Sequence, residues 1–241
     1  MINQISIPIR RAPAAFLAAA LVLLLPGLGT AQGNPPEQQD RTSVQPESLQ
    51  PTQGPEQLRT AVFAGGCFWG VEGVFEHLRG VHRAVSGYAG GEARMANYNA
   101  VSRGVTEHAE AVLVEYDSQV ISYQELLDVF FQVAHNPTQL NYQGPDRGTQ
   151  YRSEIFTLSE DQERMASRAI TDLELSGAFE SPIVTVLSML ESPEEFYPAE
   201  EYHQDFMRKN PEYPYVVYWD WPKIDHLRQA FPDLFLDVQW R

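Results

Sequence analysis

The only cysteine in the 241-residue chain is Cys67, which lies in the short stretch GGCFWG. Two glycines precede it, and two aromatic residues and a further glycine follow it. A lone cysteine is commonly a small buried hydrophobic residue, whereas a cysteine with a lowered pKa is a nucleophile. The thiol of Cys67 is therefore either an inert part of the core or a reactive group.

The residues around Cys67 predict a strand, a tight turn and a helix. The apolar run TAVFA at 60–64 is typical of a short strand, and the glycine pair after it permits a sharp turn. From Phe68 onwards apolar residues recur at helical spacing, and Gly80 is a suitable stop. Cys67 would then lie at or just before the helix N-terminus, where free N–H groups and the helix dipole lower the pKa of a thiol. This position favours reactivity but leaves both interpretations open.

Two further helices begin with capping signals. The stretch SYQELLDVFFQVA opens with Ser122 and Glu125, which have the spacing of a capping box. The same pattern, Ser159 followed by Gln162 three residues later, predicts the start of a second helix, which ends at Gly177.

The order of the remaining elements favours an α+β fold. Residues 181–190 predict a strand, and residues 198–211 predict a short helix that Asn210 and Pro211 end. Strands and helices do not alternate as regular βαβ units, which argues against a parallel sheet. We therefore expect a mixed, largely antiparallel sheet with helices packed on it.

The N-terminal region predicts targeting rather than fold. In residues 1–31 two arginines precede an apolar run at 14–25, and Ala31 completes a small-residue pattern, so we expect an export signal that is cleaved after Ala31. The apolar run is shorter than the roughly 18–20 residues that a membrane span needs, which makes a retained anchor the less favoured alternative. Residues 32–58 are rich in Pro, Gln, Glu and Ser and predict a disordered linker. The rest, 59–241, is expected to form one domain of a periplasmic or secreted protein.

Composition excludes several classes of function. The formal net charge of −15 argues against nucleic-acid binding, because neutralising phosphates requires clustered Lys and Arg. No cluster of His, Cys and Asp has the spacing of a metal site, so we expect no metal. With a single cysteine the exported chain cannot form an internal disulfide.

Several blocks, in order, resemble the A-type peptide methionine sulfoxide reductase family. They are GGCFWGVEGVFEHLRGV, SGYAGG, NYNAV, TEHAEAVLVEYD, HNPTQLNYQGPDRGTQYRSEI and PKIDHLRQAFP. GCFWG combined with GTQYRS is highly specific. The resemblance implies a two-layer, ferredoxin-like α+β sandwich, with 59–241 as the catalytic domain. It also implies reduction of methionine S-sulfoxide, free or in proteins, through a sulfenic acid on Cys67.

The resemblance implies roles for individual residues. Cys67 attacks the sulfur, and Glu110 donates the proton that the oxygen needs, because oxide is a poor leaving group. Tyr98 and Tyr151 match tyrosines that hydrogen-bond the sulfoxide oxygen, and Asp146 matches an aspartate that orders water or positions neighbours. The substrate-binding set that it implies is Phe68, Trp69, His203 and Tyr215. Periodicity alone does not decide whether the face of the strand that carries Glu110 is exposed or buried.

The sequence departs from the family pattern at two positions. Val216 stands where many members have their first resolving cysteine, and Phe206 stands where the family often has a tyrosine. The Cys67 sulfenic acid must then be reduced by an external thiol such as thioredoxin, glutaredoxin or a small thiol. We expect a monomer whose substrates are oxidised proteins or free methionine sulfoxide, with no prosthetic cofactor.

Two other functions remain as alternatives. A different thiol enzyme, a Cys–His hydrolase or a thiol peroxidase, would need a histidine close to Cys67. A non-catalytic exported binding module would keep Cys67 buried and inert.

Overall fold

The computed structural model describes residues 57–238. The predicted export signal and nearly all of the predicted linker lie outside the described residues. Within 57–238, no helix combines the length and apolar character that crossing a membrane requires.

A six-stranded sheet forms the centre of the described residues. Its strands are β1 (Leu58–Gly65), β2 (Val81–Ala89), β3 (Ala109–Asp117), β6 (Ser153–Thr157), β7 (Val186–Met189) and β8 (Tyr197–Pro198), and a separate two-stranded ribbon consists of β4 (Tyr142–Gln143) and β5 (Asp146–Arg147). The spatial order in the sheet is β7-β6-β1-β3-β2-β8. All neighbouring pairs are antiparallel except β6 and β7, which are parallel. The predicted mixed, largely antiparallel sheet is therefore confirmed.

Six α-helices accompany the strands of the described region. They are α1 (Phe68–Glu76), α2 (Tyr98–Val101), α3 (Tyr123–Val129), α4 (Glu160–Ser176), α5 (Phe206–Lys209) and α6 (Trp221–Ala230). Helix α1 joins β1 to β2, and α3 lies between β3 and β6 along the chain. With the spatial order β6-β1-β3-β2, this is the split βαβ arrangement of ferredoxin-like folds, as the resemblance implies.

Both faces of the sheet are buried, because apolar residues occupy both phases of its central strands. On β1, Ala61 and Phe63 belong to the main core beneath the helices, whereas Val62 and Ala64 belong to a smaller cluster on the opposite face. Leu190 and Phe196, from the segment between β7 and β8, pack against that opposite face. The central strands are therefore rigid supports for the residues at their ends.

The predicted helix boundaries near caps are largely confirmed. The Ser122 hydroxyl accepts from the Glu125 N–H while the Glu125 carboxylate accepts from the Ser122 N–H, which completes the capping box of α3. Ser159 caps α4, and Gly177 ends it in the left-handed conformation. Helix α1 ends at Glu76, before the predicted stop at Gly80.

Two predicted elements are shorter than expected. The strand predicted at 181–190 is confined to Val186–Met189, because the Val184 N–H instead donates to the carbonyl of Pro137 outside the sheet. The helix predicted at 198–211 is a single turn followed by α5, because Asp205 adopts a positive φ of 52° that interrupts the helical path.

Phe63 provides a test of the core. Its fully buried ring lies 5.0 Å from the centroids of Phe75 and Phe130, so Phe63→Ala should leave a cavity and lower the free energy of unfolding by about 3–5 kcal/mol. Urea unfolding measures the change. Leu175→Ala, at a site that is 81% exposed on α4, is the matched control and should change stability by less than about 0.5 kcal/mol. A loss for Phe63→Ala no larger than that of the control would contradict this description of the core.

Candidate active site

Cys67 lies at the junction of β1 and α1, as its sequence context predicts. It is the N-cap residue of α1, and Gly66 before it makes the turn with a φ of 98°. The side chain is partly exposed. The alternative of a buried, inert cysteine is therefore not supported.

The helix N-terminus does act to lower the pKa of Cys67, but the prediction that this pKa is lowered overall is wrong. Burial raises the pKa of the thiol well above its ordinary value, and the carboxylates of Glu110, Asp220 and Asp146 raise it further. The Trp69 N–H lowers it, but by less. Burial, together with negative charges from distant parts of the chain, thus outweighs the local effect of the helix. The resting group is therefore a thiol.

Glu110 is a buried carboxyl next to this thiol. It lies on β3, is 2% exposed, and its Oε2 accepts from the Phe68 N–H at 3.2 Å. Burial raises its pKa to about 8, with a further contribution from Asp146, although the Phe68 N–H opposes the shift. At neutral pH the group therefore carries a proton that it can donate. The structure also answers the question that periodicity left open, since this face of β3 is buried.

Tyr98 and Tyr151 come from two different segments, and both interact electrostatically with Glu110 and Cys67. Tyr98 begins α2, whose Asn97 cap accepts from the Ala100 N–H, and Tyr151 lies in a 3₁₀ turn just before β6. Burial raises the pKa of both phenols, and the charges of Glu110 and Cys67 raise it further. Both hydroxyls therefore stay protonated and lie in the electrostatic field of the thiol and its acid, where they can donate hydrogen bonds.

Asp146 and Tyr215 form a pair at the edge of the site. The Tyr215 hydroxyl donates to the Asp146 carboxylate, and the Tyr215 ring meets the Trp69 ring edge-on at a centroid distance of 5.9 Å. Burial raises the pKa of Asp146, while the Tyr215 hydrogen bond and Lys223 oppose that shift. The pair thus links the β4–β5 ribbon to the aromatic residues beside Cys67.

An aromatic cluster surrounds Trp69. The Phe206 ring stacks on the indole at a centroid distance of 3.6 Å and an interplanar angle of 7°. The indole Nε1–H donates to Nδ1 of His203 at 3.1 Å, so this buried histidine carries its proton on Nε2 when neutral. Burial lowers the pKa of His203, which favours the neutral form. The ring of Phe68 lies 5.0 Å from that of His203, so all of the implied substrate-binding residues contact this cluster or the Tyr215 pair.

Sequence reasoning missed a buried ion pair behind the site. Lys223 on α6 donates to Asp220 at 3.3 Å, and the Asp220 side chain is fully buried. The pair lies against Gly70, in the first turn of α1. Nothing in the sequence around Asp220 marks it as part of the site, because its role depends on contacts with residues far away along the chain.

The histidines do not support a Cys–His enzyme. His203 accepts from Trp69, and the ring nitrogens of His135 lie 2.9 Å from the Phe130 carbonyl and 2.6 Å from the Ser153 hydroxyl. Burial lowers the pKa of His135 to about 3, so it remains neutral. Among residues 57–238 no group of three or more His, Cys, Asp or Glu side chains could hold a metal ion.

Comparisons with known proteins agree with this arrangement. A peptide methionine sulfoxide reductase MsrA 2 of Mesorhizobium japonicum is 54% identical over 176 residues, which cover 73% of this chain and 89% of the relative. One of the same name from Synechocystis is 50% identical over 173 residues, covering 72% of this chain and 79% of the relative. The crystal structure of reduced Mxr1 from Saccharomyces cerevisiae matches with a TM-score of 0.60 and 34% identity, covering 66% of this chain and 90% of that one.

A family model described as peptide methionine sulfoxide reductase matches residues 59–234. This range includes every residue of the site from Cys67 to Lys223. The chain belongs to the peptide methionine sulfoxide reductase family.

Proposed function

We propose that Cys67 carries out the reduction of methionine sulfoxide, with Glu110 as its acid, and that it acts on the S epimer, free or in proteins. The observation that carries this proposal is the buried Glu110 carboxyl, whose pKa of about 8 keeps it protonated beside the only thiol of the chain. A neutral carboxyl is the proton donor that sulfoxide reduction requires.

The chemical step transfers one oxygen atom. The Cys67 sulfur attacks the sulfoxide sulfur, the S–O bond breaks, and the oxygen ends on Cys67 as a sulfenic acid. The substrate sulfur gains two electrons and Cys67 loses two. Glu110 protonates the oxygen as its bond to sulfur weakens, and the phenols of Tyr98 and Tyr151 donate hydrogen bonds to the developing charge.

The aromatic cluster receives the rest of the substrate. The apolar S-methyl group would pack against Phe68 and Trp69, whose indole is held by the Phe206 stack and the His203 hydrogen bond. Tyr215 closes one side and is itself held by Asp146. With Phe206 in place of a tyrosine, the ring contributes packing and no hydroxyl.

Recycling completes the cycle with an external thiol. Val216, at the position of a resolving cysteine, is fully buried and has no thiol to offer. Two reductant thiols, or one dithiol such as thioredoxin or glutaredoxin, reduce the sulfenic acid to a thiol and water while they become a disulfide. The protein uses thiol reductants rather than a prosthetic group.

We also propose that the enzyme is exported to the periplasm or secreted, on the strength of the sequence pattern in residues 1–31. Mass spectrometry of the protein from a periplasmic fraction should find a mature chain that begins at Gln32. Recovery of the full-length chain in the membrane fraction would instead favour the retained anchor.

Glu110→Gln tests the acid. The amide still accepts from the Phe68 N–H but has no proton to give, so formation of the Cys67 sulfenic acid in a single turnover should slow roughly 10²–10⁴-fold. The pH dependence should change as well. The reactive form has one proton on the Cys67–Glu110 pair, so the wild-type profile should be bell-shaped, and the variant should lose the limb that falls at high pH.

The assay is reduction of racemic methionine sulfoxide with dithiothreitol, read out separately for each epimer. Only the S epimer should be consumed, and Cys67→Ser should reduce turnover by more than about 10²-fold while the protein stays folded. Glu115→Gln, a partly exposed position on the same strand, is the matched control and should keep the wild-type rate. An unchanged single-turnover rate in Glu110→Gln would transfer the acid role to another group.

The absence of a resolving cysteine gives a separate prediction. After stoichiometric substrate without reductant, mass spectrometry should find one added oxygen, or a dimedone adduct, on the Cys67 peptide. Steady-state turnover should rise with the concentration of the external thiol, because recycling is bimolecular. Quantitative conversion to a disulfide-linked dimer, or turnover independent of the reductant, would show instead that a second Cys67 resolves the sulfenic acid.

A further inference from the structure

Glu200 uses both carboxylate oxygens to hold two distant segments beside the active site. Its Oε1 accepts from the Tyr98 backbone N–H at 2.9 Å, and its Oε2 accepts from the Tyr88 hydroxyl at 2.9 Å. Tyr88 is fully buried on β2, whereas Tyr98 begins the short helix α2. One carboxylate thus connects a rigid strand to a segment of the active site.

The groups that Glu200 holds contact residues of the reaction site. The Tyr98 ring lies 4.5 Å from the ring of His203, and the Tyr88 ring lies 5.9 Å from that of Phe68. The backbone carbonyl of Glu200 also accepts from the His203 N–H at 2.8 Å. Glu200 itself has no contact with Cys67, so any effect on the chemistry must pass through these neighbours.

Helix α2 needs an external support of this kind. It has four residues, which is too short to be stable alone, and the N–H of its first residue has no partner within the helix. An ionised acceptor makes the stronger kind of hydrogen bond. Burial would raise the pKa of Glu200, but the Tyr98 N–H and the Tyr88 hydroxyl help to hold it below its ordinary value, so the acceptor is charged.

We propose that Glu200 is a positioning residue that fixes Tyr98 where its hydroxyl meets the sulfoxide oxygen. The inference rests on the role proposed above for Tyr98. Phenol hydrogen bonds stabilise developing charge only when the donor is already in place, and a small displacement of such a group is costly.

Glu200→Ala should slow sulfenic acid formation in a single turnover by roughly 10–10²-fold, with recycling by the external thiol unchanged. Glu200→Gln should recover most of the rate, because its amide oxygen can accept from Tyr98 while its NH₂ donates to the Tyr88 hydroxyl oxygen. Glu201→Ala is the matched control. The Glu201 side chain is next to Glu200 in the sequence and is 88% exposed, so this variant should keep the wild-type rate.

A double-mutant cycle separates positioning from a general structural role. Tyr98→Phe should slow the same step, and adding Glu200→Ala to it should then cost less than about 3-fold, because the hydroxyl to be positioned is gone. The proposal would be overturned if the double mutant were slower by the product of the two single-mutant losses, or if Glu200→Ala kept the wild-type rate. If Glu200→Ala fails to fold, the rate of Glu200→Gln alone decides: a rate within about 3-fold of wild type supports the proposal, and a loss of about 10²-fold would overturn it.

The same data distinguish this inference from the proposed function. If Tyr98→Phe alone keeps the wild-type rate, the positioning role fails while reduction of the sulfoxide at Cys67 stands. If the wild-type protein does not reduce methionine sulfoxide, the proposed function fails first.

Discussion

The structure depends on how several carboxyl groups share a desolvated region with one thiol. Glu110, Asp146 and Asp220 all raise the pKa of Cys67, and burial acts in the same direction. A buried carboxylate without compensation is costly, so such groups either take up a proton or find a partner. Glu110 takes the first course, whereas Asp220 pairs with Lys223 and Asp146 accepts from Tyr215. The protonated Glu110 is the one that chemistry can use.

In this arrangement the protonation of Cys67 and that of Glu110 are coupled. While Glu110 is protonated it does not oppose ionisation of Cys67, and once it has given its proton away its negative charge makes ionisation of Cys67 unfavourable. A reactive sulfur is therefore favoured only while the acid is ready to donate. The same environment keeps the phenols of Tyr98 and Tyr151 protonated, so the donors around the oxygen do not compete for that role.

Local signals in the sequence predicted local structure well. The caps at Ser122, Ser159 and Gly177 and the position of Cys67 before α1 depend on neighbours within a few residues, and they are confirmed. The pKa of Cys67 was predicted wrongly because burial raises it most, and the charges that raise it further come from β3, the β4–β5 ribbon and the start of α6. Apart from Cys67, the residues of the site were identified only through the family resemblance. Glu110 lies on a strand that is buried on both faces, and Tyr98 and Tyr151 lie in elements too short to show a period. Asp220, Lys223 and Glu200 act through contacts that no spacing in the sequence reveals.

Two glycines of GGCFWG, Gly66 and Gly70, are required for different reasons. Gly66 has a positive φ, so any side chain there would strain the backbone. Gly70 lies within α1, where every residue type can adopt the conformation, but a β-carbon would overlap the Asp220 carboxylate and the Lys223 ammonium group. Position 70 is therefore epistatic to a pair of residues near the other end of the chain. A larger residue could replace Gly70 only after Asp220 and Lys223 had changed. Part of the motif around the nucleophile is therefore determined by residues at the start of α6.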